Sequence, residues 1–345
     1  MKKRNVFLSI TLLLTMALAT ACGSGGGNTA STPASDTASN SGAESSGGSG
    51  AAANDPQQLV IATGGTGGTY YPLGGGMAEQ ISKNAGVTAT AQATGASAEN
   101  LRLLRDQQAD IAFTQSDIAE YGNKGINMFQ QDGALDFKAM GTLYNETIQI
   151  VVSANSNINT VTDLKGKRVS VGAPGSGTEI NAQQILEAYG LTFDDVQVQR
   201  LSFADSAKAI QDGQLDAAFQ TAGAPTAAIT ELAATTGVKV IPIDKDKIDA
   251  IIAKYPYYVE ETIPGNTYTT VKDDITTVAV KAMLVVRSDL SDDLVYKITK
   301  AIYENTDKLG HAKAKDIKIE NALSGVSLPV HPGAEKFFTE KGVKK

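Results

Sequence analysis

The sequence predicts an α/β protein of two lobes joined by two crossing strands. Three observations predict it: a glycine-rich turn that occurs twice, a longer repeat around each copy, and two long apolar runs where the chain must pass between lobes. The first turn reads Gly64-Gly65-Thr66-Gly67-Gly68-Thr69-Tyr70-Tyr71 and follows Leu59-Val60-Ile61-Ala62. The second reads Gly175-Ser176-Gly177-Thr178 and follows Val169-Ser170-Val171-Gly172. Each copy is a strand, a backbone-exposing turn and a helical pattern. Such a turn aims unpaired N–H groups at whatever lies over the helix N-terminus.

The repeat extends beyond the turns. After the first comes a strand-like Val87–Ala91, then Ser97-Ala98-Glu99-Asn100-Leu101, then Asp110-Ile111-Ala112-Phe113. After the second comes Val196–Leu201, then Ala207–Ile210, then Asp216-Ala217-Ala218-Phe219. An ordered set of this kind points to two related supersecondary units.

Element by element, a strand is expected at 59–63 and a helix at 73–84, with Met77 and Ile81 inward. Residues 97–107 read as a helix with Ser97 at its N-cap. A strand at 110–115 is followed by a helix capped by Ser116 or Asp117. The alternating run 139–152 reads as the strand leaving lobe one, and Asp163–Lys167 as the turn into lobe two. Lobe two runs from a strand at 168–172 to one at 238–243. A helix near 225–236 should begin with Pro225, a favoured first-turn residue. Residues 255–275, rich in Tyr, Pro, Gly and Thr, read as a structured loop. The run 276–286 is the returning strand, and 291–310 and 333–342 read as helices on lobe one. The expected domains are therefore 57–150 with 277–345 (lobe one) and 151–276 (lobe two).

The N-terminus reads as an export signal. Lys2-Lys3-Arg4 precedes an apolar run from Val6 to Leu18, then small residues, then Cys22, the single cysteine. The run is too short to span a bilayer permanently. Cys22 stands where a bacterial lipoprotein carries its lipid; the alternative is a secretory peptide cleaved near Ala21. Residues 23–56 are almost free of large apolar side chains and should form a flexible tether with a coil dimension of roughly 30 Å. Lipid on Cys22 would make the protein extracytoplasmic and membrane-anchored.

The net charge is −7 and the chain has no tryptophan. With no basic stripe, nucleic-acid binding has no support. The two histidines, His311 and His331, lie far along the chain from both turns. No His–Cys cluster has metal spacing and no nucleophile–base set is brought together by the repeat, so neither a metal, a cofactor nor an enzyme is expected. The first turn fails Gly-x-Gly-x-x-Gly at Tyr70 and lacks a P-loop ending.

The candidate ligand contacts follow from the turns. They are Gly67, Gly68, Thr69 and Tyr70 in lobe one and Ser176, Gly177 and Thr178 in lobe two. Ser97 and Asn100 either face the cleft or cap a helix. Gln115 ends one buried strand, and Thr221, Gly223 and Pro225 end its counterpart, where clefts form in doubly wound sheets. No Arg sits in the turns, so an anion would rely on helix N-termini and hydroxyls. Arg102, Arg168, Arg200 and Arg287 either reach the cleft or, as is commoner for the residue type, are solvated surface charges.

The set Thr63–Gly74, Ser97-Ala98-Glu99-Asn100, Gln115-Ser116-Asp117, Gly175-Ser176-Gly177-Thr178, Thr262-Ile263-Pro264-Gly265 with Tyr268, and His331-Pro332-Gly333-Ala334 resembles the TAXI family. These are extracytoplasmic solute receptors of tripartite ATP-independent periplasmic (TRAP) transporters. The resemblance implies a type II-like periplasmic-binding-protein fold closing on one small ligand. It also implies a carboxylate ligand, including glutamate-like acids, and a TRAP permease driven by an ion gradient. A lipoprotein that senses the same ligand and signals to a membrane protein is the first alternative, and an enzyme on the same fold the second.

Overall fold

The computed structural model describes residues 55–344. The export signal, Cys22 and nearly all of the expected tether lie outside them.

In chain order, β1 (Gln58–Ala62), α1 (Tyr70–Asn84), β2 (Thr88–Gln92), α2 (Ser97–Arg105), β3 (Ile111–Gln115) and α3 (Ser116–Lys124) lead into the long strand β4 (Phe137–Ser153). Then come β5 (Arg168–Ser170), α4 (Gly177–Ala188), β6 (Gln197–Gln199), α5 (Phe203–Gln211), β7 (Ala217–Ala222), α6 (Ala227–Thr235), β8 (Val238–Ile241), α7 (Lys245–Lys254) and β9 (Val259–Ile263). The chain returns along β10 (Ile275–Arg287) and finishes with α8 (Asp292–Tyr303) and α9 (Pro332–Glu340).

One ten-stranded sheet runs through the molecule in the order β2-β1-β3-β10-β4-β7-β5-β6, with β8 on β4 and β9 on β10. Either end is parallel, β2-β1-β3 and β6-β5-β7, and the strands between are antiparallel. β4 changes partner partway along: Phe137–Thr147 pairs with β10, and Thr147–Val151 pairs with β7. Both faces of these two strands are covered, which is why their sequences are near-continuous apolar runs. The result is the two-lobed, type II-like periplasmic-binding-protein architecture, with β4 and β10 as its crossing strands.

Helices cover both faces of each half of the sheet. In lobe one, Leu59, Ile61 and Phe113 pack beneath α1, α8 and α9, while Ala62, Ala112 and Val285 pack against α2 and α3. In lobe two, Val169, Phe219 and Ile150 meet α4 and α7, and Val151 and Ala218 meet α5 and α6. The inward stripe of α1 is Leu73, Met77 and Ile81, as the spacing predicts.

The repeat has a local physical basis. Asp110 N donates to Val60 O at 2.9 Å and its Oδ2 accepts from Val60 N at 2.9 Å. Asp216 N donates to Arg168 O at 3.0 Å and its Oδ2 accepts from Arg168 N at 2.8 Å. Each aspartate thus ties the start of one strand to its parallel neighbour, and three residues on, Phe113 and Phe219 enter equivalent cores with no exposed surface.

Four local expectations are corrected, the first being the cap of α3, which is Gln115, with Ser116 and Asp117 already helical. Pro225 is not in the first turn of a helix: it follows a cis peptide bond after Ala224, and α6 begins at Ala227 beyond the N-cap Thr226. Ser97 is the first helical residue rather than the cap, which falls on Ala96 at φ 77°. Region 255–275 is not all loop, because β9 pairs with β10 there. Glu260 and Glu261 make β9 a charged edge strand, whose composition reads as irregular.

Candidate functional site

The two glycine turns and the ends of β3 and β7 converge on one cavity between the lobes. It encloses about 540 Å³ of empty space, mouth included. From lobe one, Gly68, Thr69, Tyr70, Ser97, Gln115 and Glu146 line it; from lobe two, Ser176, Gly177, Thr178, Phe203 and Thr221 do. The lining therefore brings together nine of the sequence-predicted contacts.

Four others do not line it. Gly67 packs on α6, with its carbonyl accepting from Ala228 N at 3.2 Å. Asn100 is fully buried behind the cavity, where its amide donates to Thr63 O and Phe113 O and its Oδ1 accepts from Thr94 at 2.6 Å. Gly223 presents its carbonyl to Thr69 Oγ1 at 3.3 Å, and Pro225 stands beyond it in the turn before α6.

The helix starts explain the placement. Ser176 occupies the N-cap of α4 with extended backbone, but its hydroxyl makes no capping bond. It is buried, and its Oγ has no hydrogen-bond partner. Gly172, at φ 92°, lets the strand turn so sharply that a Cβ there would lie 2.6 Å from Ser176 Oγ. Gly177 lies against the other lobe: a Cβ there would overlap Gln115 Oε1, itself buried without a partner. At α1, Thr69 is the N-cap, and its hydroxyl crosses to Gly223 instead of capping.

Two acids shape the electrostatics. The Tyr70 hydroxyl donates to Glu146 Oε2 at 2.7 Å. Burial pushes the Glu146 carboxyl up to about 8, despite that bond, and Asp117 adds to the rise. Asp117, at the start of α3, is fully buried and pushed up to about 7 by the same loss of water, although Asn181 and backbone hydrogen bonds oppose it. The four arginines considered above are each tied elsewhere: Arg102 to Asp132, Arg168 to Asp216, Arg200 to Glu179, and Arg287 to Asp110 and Asp289.

A polar seam runs beside the cavity and joins the lobes. Gln115 Nε2 and Thr221 Oγ1 both donate to Asn181 Oδ1, at 2.9 and 3.0 Å. Asn181 Nδ2 donates to Asp117 Oδ2 at 3.1 Å and to the Tyr258 hydroxyl at 2.7 Å. Gln184 continues the seam to Tyr121, whose hydroxyl is hydrogen-bonded to that of Tyr257. Backbone reaches across as well. Ala98 N and Glu99 N, at the start of α2, donate to Gly175 O of lobe two at 3.0 and 3.3 Å.

Sequence reasoning missed Asn181 and Glu146. Asn181 is one polar residue within a helix and carries no signal of its own. Glu146 had one: Asn145-Glu146-Thr147 is a polar step inside an otherwise apolar crossing strand. The histidines serve the fold. His331 caps α9, its Nδ1 accepting from Gly333 N at 3.2 Å, and His311 caps a short turn through Lys313 N. Among the described residues, no group of His, Cys, Asp and Glu is placed to hold a metal ion, and no helix is long and apolar enough to cross a membrane.

Solved structures similar to this chain include a protein of Bordetella bronchiseptica RB50, at 18% identity over 83% of this chain and 82% of that one, with a TM-score of 0.51. The alkanesulfonate-binding protein of Xanthomonas axonopodis pv. citri bound to MOPS is 16% identical over 83% and 85% of the two chains, TM-score 0.48. The periplasmic aliphatic sulphonate binding protein of Escherichia coli is 17% identical over 83% and 84%, TM-score 0.45. At such identities the likeness to the Bordetella protein speaks to the fold alone. The match that decides membership covers residues 61–342: the chain belongs to the NMT1-like family.

Proposed function

We propose that this protein is an extracytoplasmic solute receptor of the TAXI type. It captures a small carboxylate, a glutamate-like amino acid or a dicarboxylate, between lobes 57–150 with 277–345 and 151–276, and delivers it to a TRAP-type permease. Lipid on Cys22 holds it at the membrane. One observation carries this reading: the N-termini of α1 and α4, one from each lobe, meet at a single cavity where Ser176 Oγ is buried and unpartnered. Helix N-termini and free hydroxyls are the groups that receive an anion. Binding rather than catalysis suits a lining of hydroxyls, amides and backbone around one carboxyl. Ligand bridging the two ends favours the closed form by its preference for that form.

The test is a thermal-shift screen of the purified protein against small carboxylates, amino acids and sugars. A melting temperature that rises with the concentration of one acid, as linkage requires, supports the reading. A shift with a sugar or a cation only would sink it. Thr178→Val should weaken capture of that acid about fivefold, the cost of roughly one hydrogen bond, and Thr69→Val by less, because its hydroxyl is already bonded to Gly223 O, neither lowering the unliganded melting temperature by more than a few degrees. Unchanged affinity in both variants would remove these two turns from the site.

A further inference from the structure

We infer that Glu146 enters the closed cavity as a neutral acid and selects the ligand by donating a hydrogen bond to it, so that an acceptor is taken at this end of the cavity and a cation is refused. The inference rests on the receptor reading above and adds the determinant of specificity to it.

The geometry is unusual for a carboxyl group. Glu146 is 2% exposed, lies on crossing strand β4 and lines the cavity. The lining holds no Lys, Arg or His to balance a charge there. Its one hydrogen-bond partner is the Tyr70 hydroxyl, on Oε2. An ionised carboxylate this dry, with one neutral donor, is poorly compensated. The titratable groups around it give no cation either. Tyr70 faces it from α1, Tyr144 from its own strand and Asp117 from α3, and the negative charge of Asp117 disfavours ionisation further. On β10, Lys281 is in register with Asn145 rather than Glu146 and has Glu261 beside it. Lys313, whose stem lies against Gly223, is paired with Asp316. The carboxyl rises to about 8, so at neutral pH it carries its proton.

Capture of an anion should therefore weaken as Glu146 ionises. For succinate, ionised above pH 7, affinity is expected to fall roughly tenfold between pH 7 and pH 9 in the wild-type protein. Glu146→Gln, which keeps a donor and cannot ionise, should bind succinate with little change over that range. Asp117→Asn should keep the fall but move it to lower pH, because the negative charge that helps hold the Glu146 carboxyl up is gone, which separates the two acids. Putrescine, cationic throughout, should not bind wild type at pH 7, where Glu146 is neutral. Infrared difference spectra of wild type minus Glu146→Gln give a readout independent of any ligand: a neutral-carboxyl band at pH 7, lost near pH 8 to 9, with the Asp117 carboxyl, pushed up to about 7, common to both proteins and so cancelled.

No such band at pH 7, a succinate affinity that holds or grows as pH rises, or binding of putrescine at pH 7 that Glu146→Gln abolishes would each overturn the inference. Absence of succinate binding in both proteins at every pH strikes the carboxylate reading instead, and the infrared band then decides alone whether Glu146 is neutral.

Discussion

The two glycine turns open onto the same cavity with different equipment. In lobe one, Pro72 takes the third position of α1 and has no N–H to offer, the Thr69 hydroxyl is committed to Gly223 O, and Tyr70 is committed to Glu146. In lobe two, Gly177, Thr178 and Glu179 all carry N–H groups at the start of α4, and the Ser176 hydroxyl has no partner. A repeated backbone device has thus diverged in its side chains. One copy is held by internal bonds and carries an acid; the other presents unused donors. A ligand should therefore be gripped mainly by lobe two and discriminated mainly by lobe one.

Breaking the seam between the lobes should have the largest effect. Asn181→Ala removes the shared acceptor of Gln115 and Thr221 and the donor to Asp117 and Tyr258, leaving four buried groups short of a bond. About 2–4 kcal/mol of stability should be lost, read in denaturant unfolding. A loss under 1 kcal/mol would mean that water replaces the amide and the seam does not hold the lobes.

Next in size is a contrast between the turns themselves. Gly177→Ala puts a methyl into Gln115 Oε1 across the cleft, whereas Gly68→Ala meets Phe203 at an ordinary 3.4–3.5 Å. The first should cost tenfold or more in ligand affinity by titration calorimetry and the second about twofold or less. Equal effects would erase the asymmetry.

The smallest expected difference tests the repeat. Asp110 and Asp216 make the same two backbone bonds and each meets an arginine, Arg287 and Arg168, but Asp110 is the more buried. Asp110→Ala should cost about 2–3 kcal/mol and Asp216→Ala about 1–2 kcal/mol. The reverse order would show that burial does not set the cost here.

The repeat was legible because its physics is local. A glycine turn before a helix, and an aspartate opening a strand, fix nearby backbone, and the sequence spells them out in order. The crossing strands were legible because burial on both faces leaves an apolar run. What escaped depends on pairs of residues far apart in the chain. Asn181 matters only because β3 and β7 end beside it, and Gly67 leaves the lining only because α6 packs on it. Pro225 misled because its residue type suits a helix start, while the chain uses it in the turn before one. Charges on β9 hid an edge strand that β10 supplies with a partner.

The lobes also exchange main-chain carbonyls. Gly67 O of lobe one ends at the first turn of α6, and Gly175 O of lobe two ends at the first turn of α2. No side-chain substitution deletes an atom of this exchange, so surface drift on either lobe leaves its register intact. On the receptor reading proposed above, water takes each carbonyl's place when the lobes part, so the enthalpic difference between open and closed arrangements should be small enough for a modest ligand to tip. The amides of Ala98, Glu99 and Ala228 consequently form a built-in gauge of the cleft: the protection of these three from exchange with solvent hydrogen should read the free energy of opening.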